Sequence, residues 1–120
     1  MKRDMDLVRK LLFYLEENQG TELLPASEIA IDGYEADAIY YNLKIMGEGG
    51  LIAGRDISTL DCRDYIIYYI TWEGHEFLDS VRDTGVWNYT IDKLKPLGSL
   101  PLEIIKGLAL AYIKNKLGIM

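Results

Sequence analysis

The stretch YIIYYITWEGHEFLDSVRD, from Tyr65 to Asp83, decides the fold. Every residue from Tyr65 to Ile70 is β-branched or aromatic, the composition of a strand. The period changes at Thr71, where a hydroxyl stands immediately before apolar residues at helical spacing, with Phe77, Leu78 and Val81 on one side. A strand therefore runs straight into a helix. Thr71 is the expected N-cap, and Glu73 falls in the first turn, where the helix dipole favours an acid. Gly74 costs such a helix about 1 kcal/mol relative to alanine. Its presence there predicts that the helix and strand backbones approach closely.

Upstream, Gly47, Gly49 and Gly50 stop a preceding helix, and Leu51, Ile52 and Ala53 begin a short strand. The loop from Gly54 to Asp64 sets Arg55 and Arg63 against Asp56, Asp61 and Asp64, so it offers no net attraction to a phosphate backbone. In the strand after it, Tyr65, Ile67 and Tyr69 alternate with Ile66, Tyr68 and Ile70. Both faces are apolar or aromatic, which calls for a cover on each: the C-terminal segment or a second copy of the chain.

The helix expected from Tyr34 to about Gly47 follows a turn at Asp32 and Gly33, which supplies its expected N-cap. On a helical wheel Ala36, Ile39, Tyr40, Leu43 and Met46 form the inward arc. Glu35, Asp37, Tyr41, Asn42, Lys44 and Ile45 then face outward. Asn42 suits adenine and Lys44 suits guanine or phosphate, whereas Glu35 and Asp37 repel a DNA backbone. Outward Tyr41 and Ile45 suit a protein contact better.

At the N-terminal end, Met5, Val8, Leu11, Leu12 and Leu15 form the stripe of a first helix over Asp4–Asn18, with Lys2, Arg3, Arg9 and Lys10 on a solvated side. Between Thr21 and Gly33 the pattern is weak. Pro25 and the alternating Ile29, Ala30 and Ile31 predict a short extended piece or one turn where a second helix would otherwise stand. Beyond Asp83, Thr84–Leu94 forms a short helix anchored by Val86, Trp87 and Ile91, ending before Pro96 and Gly98. The last helix starts near Pro101 and ends about Leu117. Its residues Leu102, Ile104, Ile105, Leu108, Ala109, Ala111, Tyr112 and Ile113 are too widely spread around the wheel for one core to cover, which points to a second subunit.

The 120 residues suit one domain, with residues 1–83 as its core and 84–120 as a C-terminal helical extension, packed on the core or forming a dimer interface. The net charge is −6, with a pI near 4.7. It is uneven: residues 84–120 carry five lysines and two acids, for +3, which leaves −9 on residues 1–83. Nucleic-acid binding is therefore not the default expectation. A single cysteine, Cys62, excludes an intramolecular disulfide and a cysteine zinc cage, and points to a reducing compartment. The start MKRDMD lacks a signal-peptide apolar run, and no segment is long and apolar enough to span a membrane. The expected location is cytoplasmic.

Helix, turn, helix, hairpin and helix in this order predict an α+β, mostly α, winged-helix-like domain with a short antiparallel β-wing. The combination MKRDMDLVRKLL, GEGGLI, ITWEGHEFLDSVRD followed by VWN, and LEIIK resembles the bacterial and phage family catalogued as domain of unknown function 2513. The resemblance covers nearly the whole chain and implies no catalytic residue. Two positions depart from it: Tyr68 and Tyr69 stand where the family commonly has basic residues, and Asn42 where a histidine is frequent.

The residues then predict a non-catalytic protein interaction or regulatory module, with a homodimer or protein partner. The candidate surface is Tyr41, Ile45, Tyr65, Tyr68, Tyr69, Ile104, Leu108 and Tyr112. The alternative is a DNA-binding regulator of winged helix-turn-helix type that uses Lys2, Arg3, Asn42, Lys44, Arg55 and Arg63. No nucleophile and base pair, phosphate-cradling loop or metal-spaced cluster stands out, so no catalytic residue, cofactor or metal is expected. His75, the one histidine, suits a structural or surface role, and Cys62 is an incidental thiol.

Overall fold

The structure, a computed structural model, describes residues 1–94 and 102–118. Within them lie α1 (Met5–Asn18), β1 (Leu24–Pro25), a 3-10 turn (Ala26–Glu28), α2 (Ala36–Glu48), β2 (Ile52–Asp56), β3 (Tyr65–Ile70), α3 (Trp72–Val81), α4 (Thr84–Leu94) and α5 (Leu102–Leu117). The protein is α+β and mostly helical, with an antiparallel sheet in the order β1–β3–β2. Two compact units divide the chain, Met1–His75 and Glu76–Met120, and the division falls inside α3.

In the first unit, the Asp4 carboxylate caps α1 by accepting the Leu7 N–H at 3.1 Å. The helix buries Leu7, Val8, Leu11, Leu12 and Leu15. Removing one such side chain from water contributes roughly 1.5–3 kcal/mol, so this stripe is a substantial part of the unit's core. Two expectations change here. Met5 is only half-buried, its place taken by Leu7. Arg9 is buried rather than solvated, its guanidinium 4.9 Å from the centre of the Phe13 ring.

At the end of α1, the Gln19 amide donates to the carbonyls of Glu22, Ile67 and Tyr68, tying the helix to β3 beyond the two-residue β1. The segment after it is the reduced element that Pro25 implied: a minimal strand and one 3-10 turn.

Helix α2 begins at Ala36, with Glu35 as N-cap and no side-chain capping bond, so Asp32 and Gly33 do not cap it. Its end follows the glycine signal. Gly50 adopts φ +83, Gly50 N–H donates to Gly47 O at 3.2 Å, and Leu51 N–H donates to Met46 O at 2.9 Å. This is a Schellman motif, in which a residue without Cβ takes the left-handed position.

The hairpin of β2 and β3 carries a register shift between Ala53 and Gly54, with Ala53 opposite Tyr69 and Gly54 opposite Ile67. Tyr68 is the extra residue, and simple alternation fails there. Tyr65 and Ile67 are buried, while Tyr69 is 60% exposed.

In the second unit, Phe77, Leu78 and Val81 are buried as the helical spacing implied. Asp83 caps α4 by accepting the Val86 N–H at 3.0 Å. Helices α4 and α5 pack together, with the Tyr89 and Tyr112 rings stacked at 4.4 Å. Val86 and Trp87 are buried, and Ile91 is half-buried. The stop expected at Pro96 and Gly98 and the start near Pro101 lie outside the described residues.

Candidate functional site

Two places in the first unit gather the chemistry. The first is built by α2 and the hairpin. Asp56, at the end of β2, accepts the Tyr40 hydroxyl at 2.5 Å and the Ser58 N–H at 2.8 Å, with Lys44 Nζ 3.8 Å away. Hydrogen bonding from Ser58, then from Tyr40, holds its carboxyl down at about 2 from the usual 3.8. Asp64, across the hairpin, accepts the Ser27 N–H at 3.0 Å, the Ser27 hydroxyl at 2.8 Å and the Tyr65 N–H at 2.8 Å. Ile57 N–H to Asp64 O and Thr59 N–H to Cys62 O close the loop into a ladder. The loop is thus a hydrogen-bonded extension of the hairpin, with Leu60 fully exposed at its tip. Between this hairpin and α2 opens a concavity of about 380 Å³ lined by Met1, Asp37, Tyr40, Tyr41, Lys44 and Arg63.

The second place is the join of β3 and α3. The Thr71 hydroxyl donates to Gly50 O at 2.5 Å and accepts the Gly74 N–H at 3.0 Å, while Thr71 N–H donates to Leu51 O at 3.1 Å. A Cβ on Gly74 would collide with the Leu51 carbonyl oxygen and lie 2.7 Å from Ile70 Cγ2. Both expectations for this join, cap and close approach, hold. On either side of Thr71 two large aromatic residues are open to solvent: Tyr69, and Trp72 at 76%.

The structure redistributes the residues singled out from sequence. Asn42 does not face outward. It is 1% exposed, its side-chain oxygen accepts the Asp4 N–H at 2.9 Å, and its amide donates to Ala38 O at 2.9 Å. The inward arc of α2 is rotated toward it: Ile39, Asn42, Leu43 and Met46 are buried, while Ala36 is exposed and Tyr40 half-buried. A polar residue read as outward is the clamp that holds the start of α1, and the wheel alone carries no sign of that.

Tyr65 is also not surface. It is 5% exposed, and its ring fills the space that side chains at Gly47 and Gly54 would occupy. Burial pushes its hydroxyl pKa upward. Tyr41, Ile45, Tyr68 and Lys44 are half-buried, and Lys2, Arg3, Arg55 and Arg63 are exposed. Of these, the concavity brings together Tyr41, Lys44 and Arg63. In the second unit Ile104 is 49% exposed, with Leu108 and Tyr112 half-buried. Helix α5 buries only Ile105 and Ala109, so its apolar excess is real.

Sequence reasoning passed over Trp72, Leu60 and Tyr40. Trp72 stood at the first helical position, off the apolar stripe, which was the available signal. His75 and Cys62 are both exposed. Among the described residues no three His, Cys, Asp or Glu side chains gather to hold a metal, and no helix is long and apolar enough to cross a membrane.

Fold and site together define a small α+β chain with a hydrogen-bonded hairpin beside one helix. The family model described as Hypothetical protein (DUF2513) matches residues 2–100, and the chain belongs to that family. It is 38% identical over 122 residues to an uncharacterized protein of Haemophilus influenzae, covering 98% of this chain and 99% of the relative. No solved structure matches it.

Proposed function

We propose that the chain is a non-catalytic interaction or regulatory module of winged-helix type that associates through the aromatic surface at the β3–α3 join. The observation that carries this reading is the exposure of Tyr69 and Trp72, 60% and 76%, on either side of a backbone pinned through Thr71. Tryptophan and tyrosine are the residues in which interface hot spots are enriched, and a rigid backbone loses little freedom on binding. The order of helices and hairpin, with β3 between β1 and β2, supports the winged-helix comparison. Duplex DNA has weaker support: Asn42 is withdrawn from the surface, and Glu35 and Asp37 are exposed at the start of α2.

The partner to test first is a second copy of the chain. Light scattering at rising concentration should give a dimer or larger species, and Trp72→Ala should weaken that association at least tenfold, about 1.4 kcal/mol. A chain that stays monomeric throughout, or a dimer indifferent to both Trp72→Ala and Tyr69→Ala, would overturn the reading.

A further inference from the structure

The concavity between α2 and the hairpin lies apart from that aromatic surface in sequence and has its own chemistry. Its volume, about 380 Å³, is within the range of small-molecule sites. Among the described residues the Arg63 guanidinium, the Tyr41 hydroxyl and the Asp37 carboxylate have no hydrogen-bond partner. Two of the acids that made the hairpin look repulsive in sequence are already engaged. Asp64 is taken up by Ser27 and the Tyr65 N–H, and Asp56 by Tyr40 and Ser58. Lys44 lies 3.8 Å from Asp56, a separation that leaves its ammonium donors free to turn to a ligand.

Beside Met1, the lining offers two side-chain cations, one carboxylate and two phenol rings. A guanidinium and an ammonium lining one concavity seek anionic oxygens, an aromatic ring seeks a flat face, and a lone carboxylate seeks a hydroxyl or amine donor. One small chemical unit carries all three.

We infer that this concavity binds a nucleotide unit. The phosphate lies on Arg63 and Lys44, the base lies against Tyr41, and a sugar hydroxyl or base amine donates to Asp37. The unit comes either as a free mononucleotide or as one residue of a single strand. The net charge of −6 does not oppose this, because beyond a Debye length of about 10 Å at 0.1 M salt the distant acids are screened and the local cations decide.

The test is a titration of the full chain, labelled with nitrogen-15, at about 0.1 M salt. Adenosine and uridine monophosphate, inorganic phosphate and a single-stranded oligonucleotide of about 8 residues are added in separate arms. Nucleotide should shift the amide signals of Tyr41, Lys44 and Arg63 saturably. Arg63→Ala and Tyr41→Ala should each weaken binding at least tenfold with unchanged melting. Arg63 is exposed, so its variant carries the test if Tyr41→Ala does not fold. An oligonucleotide that binds tighter than the monophosphates identifies a strand as the source, and equal or weaker binding identifies the free nucleotide. No shift at millimolar nucleotide, phosphate alone binding as well as nucleotide, or wild-type affinity in Arg63→Ala would overturn the inference.

Discussion

Two helical glycines should respond to the same substitution with opposite signs. Gly107→Ala in α5 meets nothing within 4 Å, so only backbone entropy changes, and the helix gains roughly 0.5–1 kcal/mol. Gly74→Ala gains a similar amount from propensity but sets its new methyl against the Leu51 carbonyl oxygen. That oxygen belongs to the backbone and accepts the Thr71 N–H at 3.1 Å, so it cannot swing away as a flexible side chain would. Overpacking of this kind costs about 1–3 kcal/mol, and stretching the bond to Thr71 adds about 0.5–1.5 kcal/mol. Set against the propensity gain, the net is a loss of roughly 0.5–4 kcal/mol, whose middle is a drop on the order of 10 °C in melting temperature for a domain of this size. Urea and thermal unfolding followed by circular dichroism read both variants. A Gly74→Ala protein as stable as wild type, or more so, would refute the close approach of α3 to the backbone at Leu51.

Two further outcomes follow from the site. Asn42→Ala strands the Asp4 N–H and removes the clamp on the start of α1, so urea unfolding should show a loss of about 1–3 kcal/mol; a change within about 0.5 kcal/mol would mean that the side chain stands in solvent. The Asp56 carboxyl is held at about 2 rather than 3.8, so the unfolded chain takes up the proton first as pH falls; its contribution to stability is complete above 3.8 and disappears as pH drops through about 2. Stability measured between those values should fall less steeply in Asp56→Asn, and an unchanged slope would remove the carboxylate as its source.

Much of the fold was legible in the chain because it depends on neighbours in sequence. The change from a β-branched run to helical spacing at Thr71 places both elements and the cap, since strand periodicity and N-capping are properties of a few consecutive residues. Gly50 ends α2 for a local reason: only a residue without Cβ takes φ +83 at no cost. Pro25 shortened the segment before α2 in the same way.

The candidate site was legible only in part. Tyr41, Lys44 and Arg63 were each singled out, for two different partners, yet nothing in their spacing joins them. The hairpin carries Arg63, 15 residues beyond the end of α2 at Glu48, back to that helix. The exposed pair at Tyr69 and Trp72 depended on the extra residue at Tyr68, which breaks the alternation that would have buried Tyr69 beside Tyr65 and Ile67.

The sequence by itself determined the α+β class, the order of its elements, the cap at Thr71, the stop at Gly50 and the membership of a family, because these follow from local periodicity and short-range backbone chemistry. Only the tertiary structure decided which polar groups are engaged and which are left free. Asn42 turns inward to hold Asp4, Asp56 and Asp64 are taken up by partners from other elements, and Arg63 remains open beside Tyr41 and Lys44. Hydrogen bonds between residues far apart in the chain depend on packing, and a helical wheel contains no term for them.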